Sequence, residues 1–147
     1  MIDKDTLFLS IKDKIPSDSL EACKESIDNA NADELSKVAL LNIKNPVIAL
    51  LLSLFLGVFG VDRFYKGDVK LGILKPVLFF GSYILTLVCS FVYLDSEQSG
   101  FNLLFVLVVL FGVLLIGTLI WCIVDIFLVY FGIKKDNLAK IYSVFSK

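Results

Sequence analysis

Apolar and polar positions along this chain fall into blocks. No charge occurs from Pro46 to Val61; Lys75 alone interrupts Leu71–Leu94, and Asp125 alone interrupts Phe101–Phe131. Uniformly apolar runs of this length are read as membrane helices. At about 1.5 Å per residue the first covers roughly 24 Å, short of a hydrocarbon core near 30 Å. Local bilayer thinning, or extension through Asp62–Phe64, would close that gap. The third reaches roughly 46 Å and overshoots. Leu103–Val124 is therefore expected to be its buried part, with Ile126–Ile133 at the interface and Tyr130 in the aromatic belt. The expectation is an all-α integral membrane protein with three transmembrane helices.

The first 45 residues have a different pattern. Leu7, Phe8, Leu9, Ile11 and Ile15 form a short apolar patch before Pro16. Asp18 with Glu21, and Asn31 with Glu34, have the three-residue spacing of helix-capping pairs. Leu20, Cys23, Ile27 and Ala30, then Leu35 and Val38, follow at helical spacing. Two short amphipathic helices are predicted, serving either as a cap packed on itself or the membrane surface, or as a docking surface for a partner. The organisation read from the pattern is a polar helical region over 1–45, a membrane domain over 46–133 and a basic tail over 134–147. The charged N-terminus lacks the apolar core of a cleavable signal peptide.

Composition agrees with the pattern. Hydrophobic residues make up 57% of the 147, against about 45–50% in soluble domains. Net charge is −1 but segregated: residues 1–45 carry six Lys against nine Asp and Glu, and from Gly132 onward four Lys face one Asp. Neither block argues for nucleic acid, and the basic tail fits a membrane-flanking anchor. Three widely spaced cysteines suggest neither a disulfide framework nor a zinc site. The chain has no His, the commonest metal ligand and general base. No catalytic residue, cofactor or metal site is expected, and no enzymatic activity.

Three spans would place residues 1–45 and the acidic loop Asp95–Gly100 on one side of the bilayer, and the corner Asp62–Lys70 and the tail on the other. The corner side then holds Arg63, Lys66, Lys70, Lys75 and the tail lysines. The positive-inside rule puts that side in the cytoplasm, at the plasma (inner) membrane. In this scheme Lys75 snorkels to the headgroups, and Pro76 kinks or starts the buried helix.

Between Asn45 and Asp68 lie the residues of most interest. Pro46 suits a first helical turn. Ala49, Ser53, Gly57 and Gly60 recur at helical spacing and share one face, for close packing within the chain or for dimerisation. Asp62, Arg63 and Asp125 are the charges singled out, since ionisable groups within a membrane are costly and are usually paired. Arg63 is expected to pair with Asp125 or Asp62, as a structural lock or as part of a ligand- or ion-sensing site; plain interfacial solvation of these charges is the remaining reading. Phe64 and Tyr65 suit an interfacial anchor, and Gly67 a turn. Trp121 and Asp125, four apart, share a helix face.

The run Gly57-Val-Phe-Gly60-Val-Asp62-Arg63-Phe64-Tyr65-Lys-Gly67, followed by Leu71-Gly72-Ile-Leu-Lys75, resembles the two-transmembrane (TM-2) domain family. The segment Trp121-Cys-Ile-Val-Asp125-Ile-Phe is similar to that family's tryptophan-to-aspartate ending. The matched blocks extend from about Asn45 to Gly132, and the stretch between Pro76 and Trp121 is roughly one span longer than in the compact family pattern. The resemblance implies a membrane protein without established enzymatic activity, some relatives being receptor-associated or signalling components. The function expected is a small scaffold or adaptor for a membrane or soluble protein partner, embedded in lipid and capable of homo-oligomerising. An oligomeric pore or membrane-perturbing protein, and an immunity-type protein against a membrane-active toxin, are the alternatives.

Overall fold

The computed structural model describes residues 3–95 and 103–146, which form helices and connecting turns with no strand among them. In order these are α1 Lys4–Ile11, α2 Leu20–Asn29, α3 Ala32–Leu40, α4 Pro46–Leu56, α5 Val61–Lys66, α6 Val69–Asp95 and α7 Leu103–Phe145. Single 3-10 turns precede α2 and follow α1 and α4. Two compact units result. One comprises the residues up to Ala49 with those from Leu128 onward; the other is Leu50–Phe127.

The first unit is a polar headpiece with its own core. Leu7 and Ile11 of α1, Ile15, Cys23 and Ile27 of α2, and Leu35 and Val38 of α3 close around Ile141 of α7. The N-terminal region thus has three helices rather than two. Asp3, not foreseen as a cap, accepts from the Thr6 backbone N–H and starts α1. The capping box at Asn31 and Glu34 forms as its spacing predicts. Asp18 does not cap α2: it sits within a 3-10 turn and accepts from Ser19 Oγ instead.

Asn137 of α7 holds this unit together. It is fully buried. Its Nδ2 donates to the backbone oxygens of Lys14 (2.9 Å) and Lys44 (2.8 Å), and its Oδ1 accepts from the Lys44 N–H (3.1 Å). One side chain therefore bonds three backbone groups from two separate turns. Asn137→Ala should cost about 1–3 kcal/mol and speed hydrogen exchange at the Lys44 amide. An unchanged exchange rate there would show that the latch does not hold the turn.

The second unit holds α6 and the first part of α7; these helices, 27 and 43 residues long in full, span roughly 40 and 64 Å. Both are long and apolar enough to cross a membrane, and only 6% of the most apolar stretch of each is buried. Such stretches belong in lipid rather than in a protein core. The third apolar segment is shorter. α4 has 11 residues, roughly 16 Å, and gives way to a 3-10 turn over Gly57–Phe59. The protein is an all-α membrane protein with two candidate spans and one shorter apolar helix.

The sequence predicts three spans; two helices, α6 and α7, have the length of a span, and the apolar segment Pro46–Phe59 is shorter. The N-terminal helices and the end of α7 share one core. Of the predicted acidic loop, residues 96–100 lie outside the described residues.

Candidate functional site

The corner is built on glycine conformations. α4 stops at Leu56, and Gly60 takes a left-handed conformation with φ +72°, which side chains disfavour. α5 ends at Gly67, φ +110°, where the N–H of Asp68 and that of Gly67 both donate to the Arg63 carbonyl at 2.9 Å. This is a glycine-terminated helix end, and it sends the chain at once into α6.

Gly60 also lies directly against α6. A Cβ there would stand 2.1 Å from the Gly72 carbonyl oxygen. That carbonyl is four residues before Pro76, which lies inside α6 and has no N–H to donate to it. The bared carbonyl and the missing side chain face each other. Gly72 in turn packs under Phe64: a Cβ on it would be 2.9 Å from the ring. Phe64 is otherwise 43% exposed, and Tyr65 is half-buried.

The small residues do not form one continuous helical face. Ala49 and Ser53 lie on α4 and are buried, but Gly57 and Gly60 follow its end. A Cβ on Gly57 would meet nothing within 4 Å. Of Gly57 and Gly60, only Gly60 approaches another backbone closely, at Gly72.

Around the corner the second unit encloses four charges. Asp62, Lys75 and Asp125 are fully buried and Arg63 is 7% exposed. Arg63 grips Asp125 with two nitrogens, Nε to Oδ2 at 2.8 Å and Nη2 to Oδ1. Its Nη1 reaches Asp68 Oδ2 at 2.8 Å. Lys75 Nζ bridges the two buried acids, 2.7 Å from Asp62 Oδ2 and 2.5 Å from Asp125 Oδ2. Ser53 Oγ also donates to Asp62 Oδ2, at 3.1 Å. Among the described residues, Asp62 Oδ1 is the one buried side-chain oxygen or nitrogen without a hydrogen-bond partner.

Of the two partners expected for Arg63, the geometry selects Asp125. Asp62 takes Lys75 instead. Lys75 does not snorkel: it is fully buried, and its ammonium is paired with two carboxylates inside the unit. A charge count holds the missed signal: Arg63 alone leaves one of two intramembrane acids unmatched. Trp121 is half-buried, one turn before Asp125. The four charges sum to zero, an arrangement suited to holding helices together. Among the described residues no three His, Cys, Asp or Glu side chains gather as a metal site.

At the edge of this cluster Asp68 is about one third exposed, with a side-chain exposure of 34%. The Lys66 ammonium, 2.8 Å away, and then Arg63 hold its carboxyl below the ordinary aspartate range. A carboxylate so lowered stabilises the fold above its unfolded pKa and loses that contribution as pH falls through the lowered value. The stability difference between wild type and Asp68→Asn should therefore be greatest above about pH 4 and shrink below it. Thermal unfolding in detergent across that range tests this; a difference that grows on acidification would contradict it.

Residues 42–91 match the family model of the TM2 domain. The match takes in the corner, Ser53 and Lys75 and stops well before Trp121. Comparison with curated proteins and with solved structures gives no match.

Proposed function

We propose that this chain, a membrane protein with a TM2 domain over residues 42–91, is a small non-catalytic adaptor that presents its headpiece to a protein partner. The observation that supports this most is the headpiece itself, a folded polar unit with its own core, made from both ends of a membrane-anchored chain. The charge cluster fits a structural clasp in this reading. It closes the corner onto α6 and α7 and so gives the anchor a fixed form.

Leu40 is the first candidate contact. It is 86% exposed at the end of α3, beside a cleft of about 600 Å³ lined also by Leu41, Val144, Asp33 and Glu34. An exposed aliphatic side chain at the mouth of a mixed cleft suits an amphipathic partner segment.

The headpiece, corner and tail are assigned to the cytoplasmic side of the plasma (inner) membrane. The cations flanking the spans are on that side, whereas the connection between α6 and α7 carries Glu97 after Asp95 and no Lys or Arg. A 45-residue charged segment then need not cross the bilayer.

The test is purification in mild detergent after in-cell crosslinking from headpiece positions. A stoichiometric partner, lost at least tenfold in Leu40→Asp with the melting temperature retained, is the expected result. A partner-free homo-oligomer that conducts ions in liposomes would overturn the adaptor reading in favour of a pore. A crosslinked membrane-active toxin would move it to an immunity role.

A further inference from the structure

The large exposed apolar side chains of α7 end at Phe131. Ile133 is buried, and beyond it no large apolar side chain among the described residues of α7 is exposed. Hydrocarbon contact therefore stops within one turn of Phe131. Lys134 and Lys135 follow directly, with the Lys134 ammonium 5.0 Å from the centre of the Tyr130 ring. One turn further, Asn137 binds the backbone of Lys14 and of Lys44. The backbones of Lys14 and Lys44 thus lie against α7 within one turn of Lys134 and Lys135, where its apolar surface gives out. Asp136 and Asp13 are the acids adjacent to them in sequence.

We propose that Lys14, Lys44, Lys134 and Lys135 form a collar that binds the phosphates of anionic phospholipid headgroups. Each ammonium is a compact, strongly hydrated charge on a flexible stem, suited to a phosphate at the membrane surface. Tyr130 supplies the amphipathic ring that belongs at this depth. A cation near an anionic leaflet changes binding by about fivefold, so the collar acts as a group. The proposal stands apart from partner docking, since it concerns the neck of the headpiece and not the cleft at Leu40.

The experiment is lipid binding to the detergent-purified full chain, followed by native mass spectrometry. Phosphatidylglycerol and phosphatidylcholine are titrated separately at two ionic strengths. The expected result is a preference of at least tenfold for phosphatidylglycerol that weakens with salt. Lys134→Gln/Lys135→Gln should lower phosphatidylglycerol binding about tenfold or more and leave phosphatidylcholine binding unchanged. Lys14→Gln/Lys44→Gln should act in the same direction, and Lys134→Arg/Lys135→Arg should retain binding. Equal binding of the two lipids by the wild type would overturn the proposal, whether or not any variant folds. So would an equal loss in Lys24→Gln/Lys37→Gln, which removes lysines outside the collar. Displacement of the lipid by millimolar inorganic phosphate would identify a free-phosphate site and overturn the lipid assignment.

Discussion

Replacing Lys75 by Met should lower the unfolding free energy by about 3–5 kcal/mol, the cost of removing one partner from a buried ion pair. Lys75 is fully buried and donates to both Asp62 and Asp125. Without it, Arg63 alone faces two buried carboxylates. Asp125 keeps its bidentate hold on Arg63. Asp62 keeps only Ser53, 3.1 Å away, and its Oδ1 is already without a donor. The destabilisation should therefore act mainly through Asp62. Adding Asp62→Asn to Lys75→Met restores neutrality, Arg63 against Asp125, and should recover at least half of the loss. Unfolding in mixed micelles for the two single variants and the double gives the coupling. A single Lys75→Met costing under about 1 kcal/mol, or a double variant weaker than the single, would show that the ammonium is not the bridge.

Gly60→Ala should be comparably damaging, by a different mechanism. The left-handed conformation at φ +72° costs a side-chain-bearing residue about 1–2 kcal/mol. The new methyl would also lie 2.1 Å from the Gly72 carbonyl oxygen, with the Gly72 carbonyl carbon at 2.9 Å. Both are backbone atoms and have no alternative rotamer. The corner and α6 must move apart, which adds overpacking strain of about 1–3 kcal/mol. The separation would also pull Asp62 and Arg63 away from Lys75 and Asp125. Gly57→Ala is the matched control, because its Cβ has open space and its φ is not positive; it should change stability by under about 0.5 kcal/mol. If the two substitutions had equal effects, the close contact at Gly60 would not be what holds the corner.

Both results bear on the adaptor reading. A clasp that only holds the anchor together should, once weakened, lower stability and partner binding in parallel. Substitution at Leu40 should separate them, lowering binding while stability stays.

Long-range pairing is where the sequence reading was incomplete. Of the two partners expected for Arg63, Asp125 or Asp62, it is Asp125 that pairs, across 62 positions. The sequence places Lys75 at the headgroups, since near a helix start snorkelling and burial look alike in one dimension. The small-residue spacing of Ala49, Ser53, Gly57 and Gly60 suggested one helix face. The helix ends after Leu56, and only Gly60 of the two glycines meets a neighbouring backbone.

The sequence alone determined the membrane class, the helical content and the Asn31 cap. Each rests on local physics: the transfer of an uninterrupted apolar run, or a hydrogen bond between residues three apart. Tertiary structure decided the rest. That the N-terminal helices and the end of α7 form one folded unit follows from Ile141 joining the core of α1–α3 and from Asn137 binding Lys14 and Lys44. These contacts join positions far apart in the chain, and no periodicity encodes them. The same holds for the fourth charge of the cluster. A buried ammonium is stable only when its carboxylates are already in place, and that depends on where the corner brings Asp62 and α7 brings Asp125.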